Sequence, residues 1–146
     1  IGFAQALGAR FWREDGTLLP VPAAGKDLAH IQRIDLSGLD PRLQQSEIQA
    51  SCDVTNPLLG EHGATWVYGA QKGADEAALR ELEAGMAHYS RQLTQTLGYD
   101  VSERPGAGAA GGMGAALIAY AGVLGDAFRQ LDRYALQHQQ LCARRF

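Results

Sequence analysis

Four polar side chains that could form a ligand site lie in two predicted turns of the sequence: Asp53, Asn56, Gln71 and Lys72. A mostly apolar stretch, residues 48–54, leads into the first of these turns, and a buried strand that stops at a polar turn presents side chains to a ligand. One carboxylate, one ammonium group and two amides predict a site for a small, oxygen-rich anion. Alternatively, the Asp53 carboxylate only caps the turn or pairs with Lys72.

A second candidate for chemistry is the segment PGAGAAGGMGAA at residues 105–116. Gly106, Gly108 and Gly111 match the G-x-G-x-x-G spacing of dinucleotide-binding proteins. That fingerprint also needs a preceding strand and an acidic residue at the end of a second strand. The acid at a suitable distance, Asp132, falls in a predicted helix, so a nicotinamide site is not favoured.

A more general interpretation of this segment remains open. A glycine-rich loop that leads into a helix exposes N–H groups at the positive end of the helix dipole, where phosphate or carboxylate binds. Gly106, Gly108, Gly111 and Gly112 are the candidate phosphate-binding or nucleotide-binding residues. The alternative is a tight turn whose small residues allow close helix packing, and composition does not choose between the two.

Hydrophobic spacing predicts the elements that position these residues. Residues 75–97 form the clearest helix, because apolar residues recur every three or four positions between an Asp75 cap and a Gly98 stop. Asp15-Gly16 predicts a hairpin turn. The other predicted elements are helices at 2–7, at about 28–34, from Met113 onward and at 126–144, and strands at 9–14, 17–19, 47–54, 65–68 and 99–101.

Size and composition indicate one globular domain of 146 residues, with 46% apolar and 20% charged residues. The net charge of −3 does not suit a nucleic-acid binder, and no apolar stretch is long enough to predict a membrane helix. Cys52 and Cys142 lack metal-type spacing and are expected to be reduced thiols of a cytoplasmic protein. The sequence starts at Ile1 with a helical pattern, so we expect a piece of a longer protein.

Three blocks in this order, CDVTNPLLG, GAQKGA and PGAGAAGGMGAA, closely resemble the bacterial glycerate kinase family. GFAQALGA at the start and IDLSGLDPRL at residues 34–43 resemble it as well. The resemblance runs from residue 1 to about residue 122. Ala70 departs from the pattern, since the family usually has proline before Gln-Lys.

The resemblance implies a two-lobed enzyme that transfers the γ-phosphoryl group of ATP to D-glycerate with Mg²⁺, with 2-phosphoglycerate as the expected product. The chain is similar to the α+β lobe of such an enzyme, in which helices pack on a small mixed sheet with a β-hairpin. Residues 1–146 would form this single domain from two parent segments joined near residues 122–125. The partner would be the missing Rossmann-like lobe, without which the isolated chain is expected to be inactive.

The resemblance also assigns roles within the polar site. Lys72 would neutralise a phosphate or the glycerate carboxylate, and Asp53 would hold Mg²⁺ or accept the proton of the attacking hydroxyl. Asn56 and Gln71 would orient the substrate hydroxyls. The alternative function is a non-catalytic domain for small-anion binding or protein interaction. The enzyme hypothesis gains if the polar groups and the glycines share one face.

Overall fold

The structure, a computed structural model, describes residues 1–46, 52 and 54–123, without the side chains of residues 121–123. These residues combine helices with a two-stranded antiparallel sheet, which confirms the predicted α+β class. No helix in this part of the chain is long and apolar enough to cross a bilayer. The elements in chain order are α1 (Gly2–Ala6), β1 (Arg10–Trp12), a 3-10 helix (Gly25–His30), β2 (Arg33–Asp35), a 3-10 helix (Pro41–Gln45), α2 (Ala64–Tyr68), a 3-10 helix (Ala70–Lys72), α3 (Glu76–Leu97) and α4 (Ala109–Val123).

The longest element is α3, and its two ends are those that the sequence predicts. The Asp75 side chain accepts a hydrogen bond from the Ala78 N–H at 2.8 Å. Gly98 ends the helix in the left-handed conformation with φ of 80°, which a residue without Cβ adopts at little cost. One face of α3 packs on the 3-10 helix Gly25–His30, and the buried Gly85 faces Leu28 and Ala29 across this contact.

The small sheet pairs β1 with β2, with Phe11 opposite Ile34, and both of these side chains are buried. The predicted hairpin turn at Asp15-Gly16 is present, since the Arg13 N–H donates to the Thr17 carbonyl at 2.8 Å. The second arm of the hairpin is shorter than predicted and is reduced to a single bridge between Trp12 and Leu18. In this arm Leu18 is 49% exposed, whereas Leu19 is buried and its N–H donates to the Phe11 carbonyl at 2.8 Å.

Three predicted short elements are wrong. Residues 65–68 lie in helix α2 and not in a strand, and residues 99–101 form no strand. The helix predicted at about 28–34 is a 3-10 helix that ends at His30, after which Ile34 enters β2. Short apolar runs fit a strand and a buried helical turn equally well, so tertiary packing decides between them. The predicted strand 47–54 falls largely, and the predicted helix 126–144 entirely, outside the described residues.

The core joins β1, α3 and α4 through two buried tyrosines. The Tyr89 and Tyr120 hydroxyls are 2.9 Å apart, and the Tyr89 ring centroid lies 6.4 Å from that of Phe11. Burial raises the pKa of Tyr120 to about 12 and raises the pKa of Tyr89 well above its usual value. Both phenols are therefore neutral at pH 7, and each hydroxyl satisfies the other away from water.

Removing the two hydroxyls of this pair together should cost less stability than the two single removals added together. We expect Tyr89→Phe or Tyr120→Phe alone to lower the free energy of unfolding by about 1–3 kcal/mol, because the remaining hydroxyl stays buried and unpaired. The double variant should lose clearly less than the sum of the two single losses. Urea unfolding of the four proteins measures this coupling, and additive losses would contradict it.

The same pair predicts a loss of stability at high pH. Each phenol has a higher pKa in the folded state than the value of about 10 that it has in an unfolded chain. The unfolded state therefore releases protons first, and this contribution, complete below about pH 10, is lost as the pH rises toward 12. Unfolding free energies at pH 9, 10 and 11 should fall more steeply for the unsubstituted chain than for the Tyr89→Phe/Tyr120→Phe variant. Parallel pH profiles would show that burial does not shift these pKa values.

Candidate functional site

The glycine loop, defined as residues 105–112, reaches α4 through a left-handed turn. Ala110, Gly111 and Gly112 have φ values of 51°, 71° and 92°, and the right-handed part of α4 begins only at Met113. The Ala109 N–H donates to the Gly106 carbonyl at 3.0 Å, and the Gly112 N–H to the Gly108 carbonyl at 3.3 Å. Left-handed backbone is costly for residues with Cβ, so the glycine content of this segment follows from its conformation.

Two of the predicted phosphate-binding glycines are packed against other backbone. A Cβ on Gly108 would lie 2.1 Å from the Pro57 carbonyl oxygen, and the Gly108 N–H donates to the Asn56 carbonyl at 2.9 Å. A Cβ on Gly106 would lie 3.1 Å from the Cys52 sulfur and 3.3 Å from the Val54 carbonyl oxygen. These contacts support the packing alternative for Gly106 and Gly108.

Gly111 lies elsewhere, beside the Lys72 ammonium group. A Cβ built on Gly111 would lie 3.8 Å from Lys72 Nζ, so the backbone of the glycine loop and this cation face each other. Both residues line a cavity of about 150 Å³, called here the Lys72 pocket. Its other lining residues are Leu28, Ala64, Thr65, Tyr68, Gly69, Leu82 and Met86. Gly112 packs nearby, because a Cβ on it would lie 3.1 Å from Leu58 and 3.4 Å from Met86.

Asn56 is bonded within the chain at both ends of its amide. Its Nδ2 donates to the His62 carbonyl at 2.9 Å, and its Oδ1 accepts from the Tyr68 hydroxyl at 3.1 Å. Asn56 therefore adjoins the Lys72 pocket through Tyr68. Orienting a substrate hydroxyl with this amide, as the resemblance implies, would require one of these bonds to open or be shared, and the role stays a prediction.

Of the remaining predicted residues, the structure describes Gln71 and not Asp53. Gln71 is exposed and is not among the residues that line the Lys72 pocket. Asp53 lies outside the described residues, so its predicted catalytic and metal-binding roles stay predictions. Sequence reasoning missed Tyr68 because residues 65–68 were taken for a strand. A helical interpretation would have placed Tyr68 one turn before Lys72, on the same side.

The pocket has the chemistry of an anion site. The Lys72 ammonium group faces the backbone of Gly111, which has no side chain. The apolar side chains of Leu28, Leu82 and Met86 form part of the wall of the pocket. Lys72 is exposed, so a ligand can reach the ammonium group from solvent, and these apolar side chains lower the dielectric on one side of the pocket only. This donor set fits a nucleotide phosphate. For Mg²⁺, the described residues contain no group of three or more His, Cys, Asp or Glu side chains that could hold a metal.

Comparison with known proteins assigns the chain to a family. The model of the family described as "Glycerate kinase family" matches residues 1–131. Because this match covers most of the chain, the chain belongs to the glycerate kinase family, as the sequence blocks predict.

Individual relatives agree with the family assignment. The chain is 50% identical over 119 residues to the glycerate kinase of Halalkalibacterium halodurans, and 48% identical over 121 residues to the glycerate 2-kinase of Escherichia coli. These matches cover 82% and 83% of this chain but only 31% of each relative. The crystal structure of a protein designated glycerate kinase 2, from Salmonella typhimurium LT2, superposes with a TM-score of 0.78 at 40% identity, covering 88% of this chain and 36% of that one.

The packing of Gly108 can be tested directly. We expect Gly108→Ala to lower the free energy of unfolding by about 1–3 kcal/mol, because the added methyl group collides with the Pro57 carbonyl and overpacks the site. The matched control is Gly2→Ala, whose Cβ would meet the Ala23 carbonyl oxygen at an ordinary 3.8 Å. Chemical unfolding of the two variants should give a loss only for Gly108→Ala. Equal stabilities would contradict the close backbone approach.

Proposed function

We propose that this chain is one lobe of a kinase that transfers the γ-phosphoryl group of ATP to D-glycerate, with 2-phosphoglycerate as the product. Membership of the glycerate kinase family supports the reaction class. The observation that carries the site is the approach of Lys72 Nζ to the backbone of the glycine loop at Gly111. An ammonium group facing a loop without bulky side chains offers positive charge and close access to a phosphoryl group.

Phosphoryl transfer depends mainly on positioning and on neutralising charge on the phosphoryl oxygens. In this proposal the Lys72 ammonium group neutralises these oxygens, and the backbone at Gly111 lies against them. Leu82 and Met86 exclude water from one side of the pocket, which strengthens the attraction. A bound Mg²⁺ would supply further neutralisation, and Asp53 is the residue proposed to hold it or to accept the hydroxyl proton.

The reaction is proposed for a two-lobed enzyme, because kinase sites form where lobes close on their substrates. The chain spans about a third of the length of the curated relatives it matches, 31% in each of the two cited above. A Rossmann-like lobe would complete the site. The proposal that residues 1–146 form one domain, with two parent segments joined near residues 122–125, stays a prediction.

The non-catalytic alternative is less well supported by the geometry. Lys72 and Gly111 share one pocket, and Asn56 adjoins it through Tyr68, so three of the predicted site residues lie on the same side of the lobe. This supports the enzyme hypothesis in part, since that hypothesis also requires Asp53 on the same face and Asp53 lies outside the described residues. Gly106 and Gly108, which pack against backbone, contribute to the position of the loop in either case.

The two lysines of the sequence, Lys26 and Lys72, provide a matched pair for the test. The host is a chimaera of the Halalkalibacterium halodurans relative, in which the 119 aligned residues are replaced by those of this chain. With ATP and Mg²⁺, Lys72→Ala should lower kcat/KM for D-glycerate by about 100-fold or more, as loss of one transition-state charge partner does. Lys26→Ala, an exposed residue outside the Lys72 pocket, should change it less than twofold.

Product analysis by phosphorus NMR identifies which hydroxyl of D-glycerate is phosphorylated, and the 146-residue chain alone should show no turnover. Circular dichroism establishes that each variant is folded before its rate is compared. A folded chimaera without glycerate kinase activity, or equal rates for the Lys72→Ala and Lys26→Ala variants, would overturn the proposal.

A further inference from the structure

Asn56 joins three segments of the lobe by hydrogen bonds that use its backbone and both ends of its side chain. Its carbonyl accepts from the Gly108 N–H at 2.9 Å. Its Nδ2 donates to the His62 carbonyl at 2.9 Å, and its Oδ1 accepts from the Tyr68 hydroxyl at 3.1 Å. We call these three contacts the Asn56 cluster. They connect the glycine loop, the loop that contains His62 and helix α2.

Tyr68 belongs both to this cluster and to the wall of the Lys72 pocket. It is the last residue of α2, and the 3-10 helix that ends at Lys72 follows almost at once. The backbone between them is held by hydrogen bonds, from the Gly69 N–H to the Thr65 carbonyl at 2.8 Å and from the Lys72 N–H to the Gly69 carbonyl at 3.0 Å. The tyrosine and the lysine are therefore displayed by one continuous, hydrogen-bonded segment.

The glycine loop is held partly by contacts from outside it. Its Gly and Ala residues have no long side chains with which to fix the loop, and three successive residues adopt left-handed backbone. The loop contacts residue 56 through the Gly108 N–H, and the Tyr68 hydroxyl holds the Asn56 side chain. The hydroxyl thus links the segment that displays Lys72 to the loop that Lys72 faces. A displacement of about 1 Å between such groups is enough to slow a reaction strongly.

We propose that Tyr68 is a positioning residue for phosphoryl transfer: through Asn56, its hydroxyl sets the glycine loop at the correct distance from Lys72. The proposal rests on the proposed function for its kinetic consequence. The structural part, the coupling of the Tyr68 hydroxyl to the Gly108 N–H, can be measured without any enzymatic activity. The hydroxyl acts on the site through Asn56 and needs no contact with the reacting atoms.

Tyr99 supplies the matched control for removing a hydroxyl. Among the residues that the structure describes, its hydroxyl makes only a long contact, 3.5 Å, to the Ala119 carbonyl, and Tyr99 is 42% exposed. Tyr99 is absent from the lining of the Lys72 pocket. Tyr68→Phe and Tyr99→Phe therefore make the same chemical change, one inside the Asn56 cluster and one outside it.

The first measurement is amide hydrogen exchange in the 146-residue chain. Tyr68→Phe should speed exchange of the Gly108 amide about tenfold, because Asn56 loses one of its two side-chain restraints and the bond to its carbonyl opens more often. Tyr99→Phe should leave the Gly108 rate within twofold of the unsubstituted chain. If the Gly108 amide exchanges equally fast in both variants, the coupling does not exist and the proposal fails.

The second measurement is steady-state kinetics in the chimaera described above. Tyr68→Phe should lower kcat about tenfold and change the KM values for ATP and D-glycerate less than twofold, because positioning matters most in the transition state. A merely structural role would lower the amount of folded enzyme, which also reduces the apparent kcat and leaves KM unchanged, so kcat is expressed per molecule of folded enzyme. Active-site titration or circular dichroism corrects for folded protein.

A double substitution tests whether the effect passes through Asn56. Asn56→Ala removes both side-chain bonds, so adding Tyr68→Phe to it should lower kcat by less than a further twofold. A kcat for Tyr68→Phe equal to that of Tyr99→Phe, or independent losses in the double variant, would overturn the proposal. An unsubstituted chimaera that is folded but inactive would refute the proposed function instead, while the exchange measurement would still decide the coupling.

Discussion

The close backbone contact between the glycine loop and residues 56–57 is the constraint on which the site depends. Gly108 approaches so closely that a Cβ would lie 2.1 Å from the Pro57 carbonyl oxygen, and its N–H binds the Asn56 carbonyl. Only glycine permits this geometry, because any side chain would force the two segments apart. The contact fixes where the left-handed turn begins, and the turn in turn places Gly111 beside Lys72.

Behind this contact, α3 and α4 provide a rigid support. The buried Tyr89–Tyr120 hydroxyl pair joins the two helices deep in the core, where an unpaired hydroxyl would be costly. Met86, on the same helix as Tyr89, contributes to the wall of the Lys72 pocket. The elements that stabilise the lobe therefore also shape the cavity that we propose to receive a phosphoryl group.

Helix α3 and the turn at Asp15-Gly16 were predictable because signals from neighbouring residues determine them. Helix α3 has apolar residues at helical spacing, an Asp75 cap and a Gly98 stop, and all three are features of neighbouring residues. The turn at Asp15-Gly16 is local in the same way. Residues 65–68 were mispredicted because an apolar run of this length has no period of its own, and packing made it a helix. That error concealed Tyr68, whose importance depends on its being one helical turn before Lys72.

The sequence by itself determined the family, the α+β class and the residue types of the proposed anion site, because sequence blocks, spacing and composition carry that information. Only the tertiary structure decided how the site is arranged. It separated Gly106 and Gly108, which pack on backbone, from Gly111, which faces Lys72, and it bonded Asn56 to Tyr68 and to the His62 carbonyl. These assignments depend on contacts between residues distant along the chain, and such contacts leave no periodic signal for a single sequence to show.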